Sequence, residues 1–277
     1  MNACLREGGF ELDGIPVRYV EGGAGLPLLL LHGSGAGASS HGNWQRVLPR
    51  LAERHHVHAM DLIGFGRSGA KPASPHFDYA LWLRQCREMI ARMPGARIGV
   101  IGHSLSGTLA LRLAASEPRV ARVMTTATMG ASFAANPATE TAWSFPRDRE
   151  ALRQASRLLV HDPALIDEAY LDGRERILRE SDHGQRFEQM FAGDKQRFID
   201  AVALAADELG AIGCEVLMLH GRDDLGFPAD ALTLAMSRSI ARADVHLLSR
   251  CGHSVAFEWP EKFLALAVPF FAEVAHG

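Results

Sequence analysis

The chain predicts an α/β fold: a mostly parallel, doubly wound sheet interrupted by an inserted stretch of helices. Three observations carry this expectation. Leu28-Leu29-Leu30-Leu31 is a continuous apolar run that stops at His32-Gly33-Ser34-Gly35, as strands buried on both faces do. Ile98 to Gly102 is a second β-favouring run, and an Ala/Leu-rich helical pattern begins just after Ser104. Strand and helix alternate again from Glu215 onward, after a long interval without strand signals; such alternation implies parallel βαβ units.

Taken in order, Phe10, Leu12, Ile15, Val17 and Tyr19 alternate around Asp13-Gly14, which reads as a β-hairpin with a two-residue turn. The leucine run follows. A helix is expected from Trp44 to Leu51 and a strand over Val57-His58-Ala59-Met60. A turn rich in small residues then runs from Asp61 to Ser68. The helix after Ser104 closes at Pro118, and Val120 to Thr126 forms the next strand. From Ala131 to Leu209 the periodicity is helical, with Leu152, Ala155 and Leu159 on one face and Phe187, Phe191 and Phe198 recurring further on. Strands return at Glu215 to Gly221 and Val245 to Leu248. Helices are expected around Ala231 to Ile240 and from Glu261 to Ala272. The chain thus divides into an α/β core over 1–132, a helical lid over 133–209 and the rest of the core over 210–277, with no linker or repeat.

Composition narrows the function. With 277 residues, 47% hydrophobic and 22% charged, the chain suits one large globular domain carrying an insertion. A net charge of −3 with no basic run argues against a nucleic-acid partner. Cys4, Cys86, Cys214 and Cys251 lack any C-x-x-C spacing, so neither a disulfide framework nor a zinc site is expected. Met1 to Gly14 has no apolar core, and no apolar run approaches the ~20 residues of a membrane span. The expectation is a cytoplasmic protein with no membrane partner.

The chemistry centres on Arg97 to Ala110. A strand that becomes a helix within three residues must bend sharply, and Gly102, Ser106 and Gly107 allow the close approach. Ser104 stands at the tip, and the backbone N–H of Leu105 sits at the helix N-terminus, suited to an oxyanion. A serine needs a base, and the base an orienting acid. Asp223 and Asp224 follow one strand and His253 follows the next, both beyond strand C-termini where α/β sheets bind ligands. The glycine-rich turn after Leu31 lacks the Gly-Lys-Ser/Thr ending of a phosphate loop. His55, His56 and His58 sit at a strand entrance without the carboxylate or cysteine company of a metal site, so they read as solvated or core histidines, and no metal is expected. Ile166, Tyr170, Gly173, Arg174 and Ile177 form one helical stripe. Arg174 there either snorkels or pairs with Glu168 or Asp172, or it meets an anionic ligand.

Gly102-His103-Ser104-Leu105-Ser106, with an acid and then His253 later in the chain, resembles the α/β-hydrolase family. Its Gly-x-Ser-x-Gly motif has Ser106 in place of the second glycine. The family's spacing from Gly221 lands on Asp224, and its oxyanion loop matches His32-Gly33-Ser34, so the resemblance implies the Ser34 and Leu105 amides as oxyanion donors. Asp61, Gly64, Gly66 and Ser68 are similar to a structural loop of the family. Gly33 to Trp44, Asp61 to Gly66, Gly221 to Asp224 and Ser249 to His253 look like the meta-cleavage-product hydrolases. Those enzymes cut a carbon–carbon bond in 2-hydroxy-6-oxo-hexa-2,4-dienoates formed from aromatic rings. That resemblance implies Arg174 as the holder of a substrate carboxylate and Asn43 as a contact for the dienol end. It also implies a small-molecule partner, no cofactor and a homo-oligomer. Two pocket positions depart: His103 stands where the family has Asn, and Ser254 where it has Trp. Since ordinary esterases carry His at the first, a carboxylesterase or lactonase with the same triad is the alternative. A non-enzymatic ligand receptor on this fold would have no need of all three triad members.

Overall fold

The computed structural model describes residues 4–180 and 182–272. Eight strands form one sheet in the order β1-β2-β4-β3-β5-β6-β7-β8. They are β1 (Arg6–Leu12), β2 (Ile15–Gly22), β3 (Pro27–Leu31), β4 (His56–Met60), β5 (Ile98–His103), β6 (Val120–Thr126), β7 (Glu215–Gly221) and β8 (Ala243–Leu248). The hairpin β1–β2 and the pair β2–β4 are antiparallel, and every other neighbour is parallel. This is the expected α/β-hydrolase architecture.

The helices of the first half are α1 (Ser40–Trp44), α2 (Leu48–Leu51), α3 (Tyr79–Arg92) and α4 (Leu105–Ser116). Between β6 and β7 lie α5 (Pro137–Ala142), α6 (Arg149–Arg157), α7 (Glu168–Arg179), α8 (His183–Met190), α9 (Gln196–Ala201) and α10 (Ala206–Gly210), with no strand among the described residues. The chain ends in α11 (Thr233–Ser237), α12 (Val255–Glu258) and α13 (Pro260–Ala272). The leucine run shows why β3 is central. Leu28 and Leu30 pack with Trp44, Leu51, Phe263 and Phe271 on one face of the sheet. Leu29 and Leu31 join Trp82, Leu109 and Val123 on the other. Both faces are covered, so alternation would have been fatal to burial. No helix among the described residues is long and apolar enough to cross a membrane.

Four local expectations need correction. The helix expected over Trp44 to Leu51 is two short helices: Ser39 caps α1 by accepting from the Gly42 amide, and Pro49, lacking an N–H, starts α2 afresh. The helix expected from Ala231 to Ile240 spans only Thr233–Ser237, because Leu232 leaves the helical region. Ile166 caps a short 3-10 turn ahead of α7, so the Arg174 stripe starts at Tyr170. Helix α3 was not foreseen at all. Asp78 caps it, accepting from Leu81 N–H, and Trp82, Cys86 and Met89 bury its inner face.

The switch in strand order positions the site. From β3 the chain steps to β4 on one side and then back across to β5 on the other. Loops leaving β3 and β5 therefore splay apart and leave a crevice above their C-terminal ends. At that crevice α4 approaches the sheet closely. A Cβ on Gly107 would lie 2.0 Å from Thr128 Oγ1, and one on Gly102 would lie 2.5 Å from the Ser106 carbonyl oxygen. Gly107→Ala is expected to cost about 2 kcal/mol through overpacking, read as a lowered midpoint in denaturant unfolding. A midpoint at or above that of the wild type would show that α4 can retreat without cost.

Candidate active site

Ser104 has φ 57° and ψ −125°, a left-handed conformation that costs a non-glycine residue energy and recurs at functional sites. Backbone bonds hold it there: its N–H donates to Thr126 O at 2.9 Å, and its carbonyl accepts from Gly107 and Met129 at 3.0 and 3.1 Å. The departure at Ser106 has a structural reason. Its buried hydroxyl donates to the His32 carbonyl, which ties α4 to the loop after β3.

The hydroxyl so presented lies 2.9 Å from His253 Nε2, and His253 Nδ1 lies 2.6 Å from Asp224 Oδ2. The Asp224 side chain is fully buried, whereas that of Asp223 is 45% exposed and pairs with His161. Of the two, Asp224 is the carboxylate in contact with the imidazole. Burial opposes its charge, but His253 and His220 together hold the carboxyl well below the usual carboxylate range. The Gly226 and Phe227 amides donate to its other oxygen at 3.1 and 3.0 Å. His220 was missed in the sequence. Its Nε2 lies 3.2 Å from Asp224 Oδ2 and 2.9 Å from the Phe227 carbonyl, while Nδ1 meets Thr233 Oγ1 at 2.7 Å. Phe227 also stacks on the His253 ring, with centroids 4.3 Å apart.

The helical segment between β6 and β7 closes over this line. The Leu159 carbonyl accepts the His253 and Ser254 amides, each at 3.1 Å. Trp143 Nε1 donates to Ser34 Oγ at 3.0 Å and stacks on Phe191. Ser34, Asn43, His103, Arg174 and Ser254 all line the resulting pocket with Ser104 and His253. The Leu105 side chain points into the core, and its amide opens α4. Neither that amide nor the Ser34 amide has a hydrogen-bond acceptor among the described residues. The free space above Ser104 is about 30 Å³, room for roughly two waters.

Each remaining pocket residue has a definite setting. Asn43 Oδ1 accepts the Gly33 amide at 3.3 Å, steadying the loop after β3. Gly33 must be bare there, since a Cβ would come within 2.8 Å of His103 Cδ2. His103 Nδ1 lies 3.0 Å from Thr126 Oγ1; burial, and then the facing His253 ring, hold it neutral, its pKa well below the ordinary histidine value. Arg174 does not pair with Glu168 or Asp172, because Arg149 takes both. It lies over the Tyr170 ring and donates to the Ala36 carbonyl at 2.6 Å, with no carboxylate partner among the described residues. Asp61 is structural as expected: its oxygens accept the Ser40 and Arg67 amides, and a Cβ on Gly66 would strike its carboxyl. The reading of His56 and His58 needs correction. Glu21, on the adjacent antiparallel strand, brings a carboxylate to within 3.5 and 3.2 Å of their rings.

A hydroxyl, an imidazole and a buried carboxylate aligned over the switch point of this sheet define an α/β-hydrolase, and the chain belongs to the alpha/beta hydrolase family, whose model matches residues 28–266. Among its relatives is the 2-hydroxymuconate semialdehyde hydrolase of Pseudomonas sp. CF600, 30% identical over 94% of this chain and 92% of that protein. The 2-hydroxy-6-oxo-2,4-heptadienoate hydrolase of Pseudomonas putida F1 is 29% identical over 94% of each. Among solved structures, the meta-cleavage product hydrolase CumD of Pseudomonas fluorescens IP01 superposes with a TM-score of 0.89 at 27% identity, covering 94% of this chain and 96% of that one. The 2-hydroxy-6-oxo-6-phenylhexa-2,4-dienoate hydrolase BphD of Rhodococcus sp. RHA1 gives 0.88 at 25% identity, covering 98% and 99%.

Two outcomes follow from this geometry. Asp224→Asn should lower kcat by orders of magnitude, since an amide cannot hold the imidazole in its working tautomer. Asp223→Asn should leave kcat within a few-fold, and the opposite ranking would move the acid. Stability should also fall with acid. His103 and His32 have folded pKa values below their ordinary ~6.5. Below about that pH the unfolded chain takes up protons that the folded one refuses. The melting temperature should drop steadily between pH 7 and 5, and His103→Asn should flatten the slope; an unchanged slope would mean that His103 titrates alike in both states.

Proposed function

We propose that this protein is a serine-dependent hydrolase that cleaves a carbon–carbon bond in a 2-hydroxy-6-oxo-hexa-2,4-dienoate-type ring-fission product. The observation that carries the proposal is Arg174: an arginine without a carboxylate partner, lining the same pocket as an aligned Ser104–His253–Asp224. A guanidinium there is suited to a carboxylate, which it can grip with two parallel hydrogen bonds. The similar proteins whose names describe dienoate hydrolases support the reaction class. The reading is of a cytoplasmic enzyme acting on a small carboxylate.

In this reading Ser104 Oγ adds to the 6-oxo carbon while His253 Nε2 accepts its proton, and Asp224 steadies the imidazolium. The new oxyanion rests on the Ser34 and Leu105 amides; loss of one such donor costs about 10²–10³ in rate elsewhere. When the carbonyl re-forms, the carbon–carbon bond breaks. Its electron pair enters the dienoate fragment, in its keto form an electron sink, and His253 returns the proton to carbon. Water then releases the acyl group from Ser104. Asn43 and the Arg174 side chain fix the two ends of the acid. Residues 133–209 roof this pocket and act as its lid.

A second reading is an esterase or lactonase on the same triad, favoured by His103 and Ser254 lining the pocket. The test is a turnover screen of ring-fission dienoates beside neutral aryl esters, in the wild type, Ser104→Ala and Arg174→Ala. Ser104→Ala should abolish all turnover with folding intact. Arg174→Ala should lower kcat/KM for dienoic acids by about 2 kcal/mol, roughly thirty-fold, and spare neutral esters. Equal losses on both substrate types would make Arg174 a structural lid residue and put the ester reading ahead.

A further inference from the structure

On β2 and β4, away from the pocket, three side chains bring metal-ligand atoms together. Glu21 stands directly opposite His58 in the antiparallel register, and His56 lies two residues back on the same face of β4. One donor atom from each lies within 4.8 Å of the other two. Glu21 Oε2 is 3.2 Å from His58 Nε2 and 3.5 Å from His56 Nε2. Two ligands bound to one zinc ion at about 2.1 Å, and set at the tetrahedral angle, sit roughly 3.4 Å apart. The carboxylate-to-imidazole distances straddle that value with no ion present.

We propose that Glu21, His56 and His58 form a binding site for a divalent transition-metal ion, zinc foremost, that clamps β2 to β4. Two imidazoles and one carboxylate are a donor set that zinc accepts, with a fourth position left for water. The side chains are shielded but reachable: Glu21 is 16% exposed, His56 21% and His58 3%. Ligation requires neutral imidazole. The two rings already lie side by side, tilted 50° to each other with centroids 4.3 Å apart.

Two features set the strength of the site. Arg6 holds the other Glu21 oxygen at 2.9 Å, which orients the carboxylate and leaves Oε2 toward the rings. His58 Nδ1 is buried without a partner among the described residues. Zinc on Nε2 would move the ring proton to Nδ1, where no acceptor supports it, and absent support of this kind costs some ten- to hundred-fold in affinity. The site is therefore one of modest affinity. It lies where β4 begins, at the end of the sheet opposite Ser104, so the ion takes no part in the hydrolysis.

The experiment titrates zinc chloride into the metal-free chain at pH 7.5, with calorimetry and thermal melts as readouts and cobalt absorption for geometry. The wild type should bind one ion per chain with four-coordinate cobalt bands. Its melting temperature should rise by roughly 2–5 °C at ten times Kd. His56→Ala and Glu21→Gln, both at partly exposed strand positions, should each weaken binding at least ten-fold and remove the rise. Absence of saturable binding by the wild type would overturn the proposal. So would wild-type affinity in both variants, which is the result expected if zinc instead sits on His253 and Asp224.

Discussion

A buried negative charge governs this molecule. The Asp224 carboxylate has no exposure to water, and an uncompensated ion in that position would be ruinous to stability. Two imidazoles and two backbone amides surround it. Each donor comes with a structural demand. The amides require the turn at 224–227, His220 requires the end of β7, and His253 requires the loop after β8 to reach back across the sheet. Ring orientation at His253 is a by-product of satisfying the charge. The alignment toward Ser104 then depends only on the strained turn that lifts the hydroxyl.

The same economy explains what the sequence disclosed. Ser104, Asp224 and His253 were legible because each follows a strand and precedes a helix, so local pattern fixes which end of the sheet they occupy. The order of the three along the chain did the rest. Helix α3 was passed over although Trp82, Cys86, Met89 and Ile90 fall at helical spacing on its inner face, because Gln85 and the arginines between them dilute the apolar signal. Its start is marked by Asp78, a signal that could have found it. His220 and Trp143 could not be read, since their roles depend on which loops fold against them. Glu21 is the plainest case: only the antiparallel register puts it across from His58, and no spacing along the chain reveals register.

Ser106 shows how a departure from a motif can be conservative in effect. The elbow needs a small residue, and serine satisfies that need while its hydroxyl gains the His32 carbonyl. His32 is engaged twice more. Its Nε2 accepts the Leu62 amide at 3.0 Å, and its Nδ1 lies 2.6 Å from the Gly33 carbonyl. Burial depresses its pKa, so the ring stays in one charge state while it joins the loops after β3 and β4. The loop carrying the Ser34 amide is thereby fastened to both α4 and the loop after β4, which suits its proposed part as an oxyanion donor that meets developing charge without first reorganising.

The Leu159 carbonyl, which takes the amides of both His253 and Ser254, makes the roof and the base one mechanical unit. Residues that line the roof of the pocket are thereby bolted to the residue proposed to move the proton. A substitution in the roof that enlarges the chamber by displacing the backbone at 159 would tilt the imidazole as well. New substrates are therefore easier to reach by trimming side chains such as Trp143 or Leu159 than by reshaping the helices that carry them. Under the proposed function, the route to altered selectivity runs through side-chain volume, with the backbone of the roof fixed by its bonds to the proposed base.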